Sequence, residues 1–353
     1  MEQIQTQIDA LFALVLDNNA SDLHLSAGRH PVIRVQGELV PVQNYPELTA
    51  DDMMSVLKFL VSEQKLEKLA TLNEIDFGYN YQGKLRLRGN AYIRGGSVSL
   101  AFRVIQKVKP LSELHLPQVL EQFTRAKQGF FLVVGPVGQG KSTTLAAMID
   151  AINSERKEHI VTIEHPIEYL HTDKLSIIDQ REVAVDTPSF SSALESVFRQ
   201  DVNVILIGEM RDPDTIATAV TAAETGHLVF STLHTNNAAQ TIDRIIDSFD
   251  PEQQDQVRAQ LSNSLLGIFS QRLLPSLKGG QVPAYELLIN TKAVANLIRE
   301  NRTHEIDMLI ETGTEHGMVS MNRSLLELVR GGDITIEDAK RFSSNPQGFD
   351  GMI

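Results

Sequence analysis

The stretch Phe131-Leu-Val-Val-Gly135-Pro-Val-Gly-Gln-Gly140-Lys141-Ser142 constrains this chain more than any other. An apolar run of strand character enters Gly-x-x-x-x-Gly-Lys-Ser, and a helix-forming run from Thr143 to Asn153 leaves it. Glycines at these two positions let the backbone curl until its N–H groups converge on phosphate oxygens. Lys141 then reaches the β- and γ-phosphates, and the Ser142 hydroxyl can ligate Mg²⁺. The helix that follows adds the positive end of its dipole. The expected nucleotide-binding residues are Gly135, Pro136, Val137, Gly138, Gln139, Gly140, Lys141, Ser142 and Thr143. A plain glycine turn is the weaker explanation, because the match stands between a strand and a helix as phosphate binding requires. The pattern predicts that the chain binds a nucleoside triphosphate, with ATP and Mg²⁺ the expected pair.

A chain of 353 residues is long for a single core, so two domains are expected. With 42% hydrophobic and 22% charged residues it has the composition of a globular protein. A net charge of −13 gives no support for a nucleic-acid partner, which favours a basic face. The absence of cysteine excludes disulfides and Cys-ligated metal sites. The N-terminus, Met-Glu-Gln-Ile-Gln, has no basic and apolar leader, and the apolar runs are too short to span a bilayer. The expected location is the cytoplasm, with any membrane association made through a partner.

Residues 4–17 carry apolar positions at helical spacing, and short alternating runs follow at 23–25 and on both sides of a Gln36-Gly37 turn. A helix-rich stretch runs from Ala50 to Leu69. Residues 75–105 then alternate again around a Gln82-Gly83 turn. This reads as a small α+β domain over 1–108 with mostly antiparallel pairing. A proline-containing linker is expected at 109–118. From 119 onward strands alternate with helices, the signature of a mainly parallel sheet in an α/β domain. Strands are expected at 130–134, 160–164, 203–208 and 227–232. Thr187-Pro188 and Asp212-Pro213 open helices, a long amphipathic helix is expected over 252–272, and 291–353 reads as a helical segment.

Ligands of open α/β sheets bind at the carboxyl ends of the strands. Val204-Ile-Leu-Ile207 ends in Gly208-Glu209, where P-loop ATPases usually place a Mg²⁺-holding aspartate; Glu209 is the acid available here for the metal or its waters. Ile160-Val-Thr-Ile163 runs into Glu164-His-Pro-Ile-Glu168, two carboxylates of which either could orient the attacking water. Gly226-His227 through His234-Thr235 supplies two histidines, His234 being the candidate to sense or stabilise the γ-phosphate. Arg86, Arg88, Arg94 and Arg103 form either a solvated basic face or a set of arginines presented to a nucleotide, in the same chain or in a neighbour.

The order of these pieces resembles the GspE/PilT family of secretion-type ATPases, and within it the retraction motors of type IV pili. The matching stretches include Ala20-Ser-Asp-Leu-His-Leu-Ser-Ala-Gly28, Thr162 to Glu168, Gln180-Arg-Glu-Val183, Gly208-Glu-Met-Arg-Asp212, Ala222 to Phe230, Thr232 to Thr235 and Thr241 to Asp247. The resemblance implies a PAS-like N-terminal domain, a RecA-like ATPase domain and a homohexamer with ATP at subunit interfaces. It also implies an inner-membrane pilus platform protein as partner. Gly135 to Ser142 is the family's Walker A loop, and Gly208-Glu209 closes an atypical Walker B strand. The general-base role falls on Glu168, with Glu164 as the second candidate. His227 and His234 belong to a His box, and Arg86, Arg94 and Arg103 become phosphate-facing; Arg88 stands where relatives usually carry asparagine and is left out. The extension and type II secretion relatives carry a further N-terminal domain and usually a four-cysteine zinc motif. The sequence has neither, and Ala293 to Glu300 resembles a C-terminal motif of retraction motors. Three positions depart from the family pattern: His165 replaces an aspartate, Gln139 a serine and Ala295 an arginine. The implied function is pilus retraction driven by ATP hydrolysis. An accessory retraction ATPase that works beside a partner ATPase and a RecA-like nucleic-acid motor are the alternatives.

Overall fold

The computed structural model describes residues 2–35, 37–343 and 345–352, so Gln36 of the first expected turn lies outside the described residues. The chain divides into two compact units, Met1–Gln106 and Lys107–Ile353.

In the first unit, helices α1 (Glu2–Asp17), α2 (Ala50–Leu60) and α3 (Glu63–Leu72) accompany strands β1 (Asp22–Ser26), β2 (Val32–Val35), β3 (Glu38–Pro41), β4 (Glu74–Tyr81), β5 (Leu85–Arg94) and β6 (Ser97–Lys107). The strands pair antiparallel in the order β3-β2-β1-β6-β5-β4. Period-two alternation decides which side chains go inward. Leu87, Ala91, Leu100 and Phe102 join Phe12 and Leu57 in the core, whereas the alternate residues Arg86, Arg88 and Arg103 face out. The β4–β5 hairpin turns at Gln82-Gly83, both with positive φ, as a tight hairpin turn demands. A reciprocal capping box starts α2: Asp52 N–H donates to Thr49 Oγ1, and Thr49 N–H donates to Asp52 Oδ2.

The second unit opens with a 3₁₀ turn at Leu111–Glu113, inside the segment expected as linker; Leu111 and Leu116 pack against its core. Then follow α4 (Leu120–Thr124), β7 (Gly129–Val134), α5 (Lys141–Glu155), β8 (His159–Glu164), the two-residue β9 (Tyr169–Leu170), β10 (Ile177–Glu182) and α6 (Phe190–Val197). Next come β11 (Val204–Ile207), α7 (Pro213–Glu224), β12 (Leu228–Leu233), α8 (Ala238–Ile246), α9 (Pro251–Ser264), β13 (Leu265–Pro275) and β14 (Gln281–Ile289). The closing segment is helical: α10 (Lys292–Arg299), α11 (Ile306–Thr312), α12 (Met321–Arg330), α13 (Ile336–Phe342) and α14 (Pro346–Asp350). The sheet order is β10-β8-β11-β12-β7-β13-β14, parallel throughout except that β14 returns antiparallel to β13.

Both sheet faces are covered, so β7 and β11 carry no polar side chain, and β8 and β12 carry only buried hydroxyls between their ends. Phe130, Leu132 and Val134 of β7 face a core shared with α6 to α9, while Phe131 and Val133 face one shared with α4 and α5. Double coverage also explains where the expectation of one helix over 252–272 fails. α9 stops at Ser264, and β13 begins at Leu265. Val257, Leu261, Leu265, Ile268 and Phe269 have helical spacing, yet an all-buried strand also puts apolar residues at those positions. Gly267 is the telltale residue, because a Cβ there would stand 2.6 Å from Leu288 O on β14. Strands β10 and β14 had no sequence expectation. No described helix is long and apolar enough to cross a membrane.

Phe131 is fully buried, with its ring centroid 4.2 Å from that of Phe123 and 6.1 Å from that of Phe230. Phe131→Ala should destabilise the second unit by about 3–5 kcal/mol in urea denaturation; a loss below ~1 kcal/mol would contradict this packing.

Candidate active site

Because β8, β11, β12 and β7 are adjacent and parallel, the segments leaving them emerge at one edge. In spatial order these carry Glu164 and Glu168, then Glu209, then His234, then the loop from Gly135 to Gly140.

The loop needs three glycines in the left-handed half of φ space, Gly135, Gly138 and Gly140 at +147°, +77° and +78°. It rests against β13. A Cβ on Gly135 would stand 2.5 Å from Gln271 O, and one on Gly140 would stand 2.9 Å from Gln271 Nε2. Thr144 Oγ1 donates to Gln271 Oε1 at 2.6 Å, and Leu273 N–H donates to Gln139 Oε1 at 2.6 Å. Gln139, a departure from the family serine, thus ties the loop to its backing strand. No side chain caps the α5 N-terminus, which leaves its first-turn N–H groups for an anion. Pro136 is half-buried, and Val137 is 80% exposed at the loop tip.

Lys141 is buried, and its Nζ donates to Gly135 O (2.8 Å), Pro136 O (2.9 Å) and His234 Nδ1 (3.3 Å). An ammonium has only donors, so His234 Nδ1 accepts and the imidazole proton sits on Nε2, which faces Glu209 Oε2 at 3.7 Å. Burial and the Lys141 charge hold the His234 pKa below the ordinary value, which keeps this tautomer neutral. Burial also pulls the Lys141 pKa down, and the charges of Glu168 and Glu209 oppose it. Arg211 Nε donates to Glu209 Oε2 at 2.7 Å, ending a row that runs from the Lys141 ammonium through a neutral imidazole to the Glu209 carboxylate. Ser142 is half-buried in the first turn of α5.

The two carboxylates after β8 differ in kind. Glu164 accepts from Thr162 Oγ1 (2.7 Å), Gln180 Nε2 (3.3 Å) and Glu168 N–H (3.5 Å), and burial pushes its pKa up. Glu168 is exposed and acts on Lys141 only through its charge.

His227 does not join this group. It precedes β12, while His234 follows it. Six strand residues at ~3.3 Å each put it roughly 20 Å away, on the opposite edge of the sheet. There its Nδ1 faces Ala222 O at 3.1 Å and its ring meets Phe198 edge-on. Within one chain it is no part of the site.

In the first unit, Arg86, Arg88 and Arg94 on β5 share the outward face with Arg103 of β6, which pairs with Arg88. Arg94 is exposed, Arg103 Nε donates to Asp22 Oδ1 at 2.9 Å, and Arg86 Nε is buried without a hydrogen-bond partner.

Four residues without a sequence expectation belong to the site's support. Gln271 backs the phosphate loop. Arg272 donates from Nη2 to Asn236 O (3.1 Å) and Oδ1 (3.0 Å), holding the loop after His234. Tyr169 OH meets Thr143 Oγ1 at 2.7 Å. Glu286 of β14 accepts from Ala238 N–H at 2.9 Å at the start of α8. All four stand on segments whose strand character the sequence did not reveal.

Hard oxygen donors suit Mg²⁺, which usually rides on substrate phosphates with one or two protein ligands. The Ser142 hydroxyl and the Glu209 carboxylate, at the strand-end edge beside the uncapped α5 N-terminus, fit that donor set.

Residues 1–341 match the family described as "Type II/IV secretion system protein". The chain is 42% identical to the "Type IV pilus retractation ATPase PilT" of Pseudomonas aeruginosa over 343 residues, which is 97% of this chain and 99% of that protein. It is 44% identical to the "Twitching motility protein" of Neisseria gonorrhoeae over 321 residues, covering 90% and 86%. Among solved structures, the pilus retraction motor PilT with bound ADP superposes with a TM-score of 0.91 at 44% identity, covering 97% of this chain and 98% of that one.

Glu286 yields a pH prediction. Burial raises its pKa from the ordinary 4.5 to about 7, with Asp307 adding and the Ala238 N–H and Arg272 opposing. The folded state therefore holds a proton that the unfolded state has lost. The stabilisation is complete below about pH 4.5 and is lost as pH rises through about 7, up to roughly 3 kcal/mol. Glu286→Gln should gain stability relative to the parent between pH 5 and 8 and track it below pH 4.5. Parallel denaturation curves across that range would refute the assignment.

Proposed function

We propose, for a chain that belongs to the Type II/IV secretion system protein family, that it is the ATPase motor of type IV pilus retraction. It is an ATPase, with a doubly covered α/β sheet and a similarity to retraction motors that runs through almost its whole length. The observation that carries the reading is the meeting of four strand-end segments around Lys141: the phosphate loop, Glu168, Glu209 and His234.

In this reading the N–H groups of Gly138 to Thr143 hold the phosphates, and Lys141 exchanges its loop carbonyls for phosphate oxygens. Ser142 and Glu209 would hold Mg²⁺, which supplies charge neutralisation at the phosphates. Glu168, the exposed carboxylate, takes the proton of the attacking water as its oxygen bonds to the γ-phosphorus and the bond to the ADP oxygen breaks. Glu164 is committed to Thr162, Gln180 and the Glu168 backbone, so it orients the segment rather than accepting the proton. His234, neutral and donating from Nε2, contacts the γ-phosphate side. Arg86, Arg94 and Arg103 complete the reading as phosphate-facing cations, in this chain or a neighbouring one. The assembly is a homohexamer in the cytoplasm, acting peripherally at the inner membrane on the pilus platform protein. The identity with named retraction and twitching proteins supports this, and the acidic balance gives a nucleic-acid motor no support.

Phosphate release by the purified protein tests the site. Lys141→Ala should lower turnover at least ~100-fold, which corresponds to about 2.7 kcal/mol of barrier. Glu168→Gln should fall as far with ADP binding kept, while Glu164→Gln keeps measurable turnover. Undiminished turnover in Lys141→Ala would sink the site. For the function, deletion of the chain should leave pili that extend and do not retract under live imaging.

A further inference from the structure

Glu168 projects from a short segment between β8 and β10, and among the described residues its side chain makes no hydrogen bond that would fix its distance from the phosphate loop. The segment is pinned on its other residues. Gln180 Nε2 on β10 donates to Tyr169 O at 2.8 Å and to Glu164 Oε1 at 3.3 Å, holding the backbone. The next residue after Glu168 then reaches across to α5, where Tyr169 OH and Thr143 Oγ1 stand 2.7 Å apart. Thr143 immediately follows Ser142 in the first turn of α5. One hydrogen bond therefore joins the neighbour of the acidic residue to the neighbour of the magnesium-side serine.

We propose that Tyr169 is a positioning residue for ATP hydrolysis, its hydroxyl on Thr143 setting where Glu168 stands relative to the phosphate loop. The proposal rests on the assignment of Glu168 as general base. Tyr169 and Thr143 are both half-buried, so water competes weakly for either hydroxyl. Burial pushes the phenol pKa above its ordinary value, so it stays protonated throughout the working range and does not become a charge beside Glu168. The bond is the tie between this segment and α5, so losing it loosens Glu168 relative to the phosphate loop while the Gln180 and Glu164 bonds keep the segment's backbone in place. The ring itself would keep its packing in phenylalanine.

Tyr169→Phe isolates the hydroxyl. The expected result is a kcat roughly three- to tenfold lower, the scale of one neutral hydrogen bond. KM, ADP affinity and melting temperature should be unchanged. Thr143→Val should lower kcat similarly, and the double variant should be no slower than the slower single one, the non-additivity of a shared interaction. In single-turnover measurements, Tyr169→Phe should cause no further loss in a Glu168→Gln background. Parental kcat in Tyr169→Phe, a changed KM or ADP affinity at constant kcat, additive effects, or a further loss in the Glu168→Gln background would each overturn the proposal. Glu168→Gln alone separates the two ideas. Full turnover in that variant removes the base assignment and this proposal with it, whereas lost turnover there beside an unaffected Tyr169→Phe removes only the positioning role.

Discussion

The close contact between the phosphate loop and β13 is the constraint on which the rest of the site depends. A loop with three residues at positive φ is costly to order, since glycine loses more conformational freedom on folding than any other residue. Something must hold it, and no helix cap does. The strand performs that task through Gln271 and Leu273: the Gln271 carbonyl fills the space beneath Gly135, and its side chain takes the Thr144 hydroxyl and lies under Gly140. Gln139 answers from the loop to Leu273 N–H. The same strand, one residue on, uses Arg272 to grip Asn236 beyond His234. A single strand thus sets the phosphate loop and the histidine loop relative to each other.

With the loop fixed, charge determines what it does. Lys141 is drawn inward to two carbonyls and an imidazole nitrogen, a nest that keeps the ammonium partnered until phosphate replaces those acceptors. His234 must stay neutral to accept from it, and both burial and the lysine hold it neutral. The proton it carries then points to Glu209. The arrangement is self-consistent in one protonation state: Lys141 donates to His234 Nδ1, Nε2 faces Glu209 at 3.7 Å, and Arg211 donates to the same carboxylate.

Local chemistry was readable from the sequence, and long-range support was not. The phosphate loop, Glu164, Glu168, Glu209 and His234 follow apolar runs that are legible as strands, and parallel order alone brings their ends together. The outward face of β5 was equally legible, because Arg86, Arg88 and Arg94 alternate with buried positions. β13 was hidden because a largely buried strand places apolar residues at helical intervals as readily as a helix does. β10 was hidden for the converse reason: Ile177-Ile-Asp-Gln-Arg-Glu is an edge strand, polar at four of its six positions and only partly covered. Gln271, Arg272 and Glu286 were invisible along with their strands. His227 and His234 stand on either side of β12, so within one chain the whole length of the strand separates them.

The acid after β11 illustrates how packing chooses residues. P-loop ATPases usually place aspartate where this chain has Gly208. Gly208 N–H donates to Ile163 O at 2.8 Å, so the backbones of β11 and β8 stay together one residue beyond their last ladder pair. Thr232 Oγ1 donates to Gly208 O at 2.6 Å from the other side. A Cβ at this position would stand in ordinary contact with Glu164, 3.4 Å from its Cα and 3.7 Å from its Cγ. An acid at this position would start on the Glu164 side, beside a carboxyl that burial already disfavours as an anion. Moving the acid one residue on gives it the opposite orientation, away from Glu164 and toward His234. Glutamate adds the methylene that restores the reach. The Gly208-Glu209 order thus keeps the acid after β11 apart from the buried carboxyl of Glu164 and sets it 3.7 Å from His234.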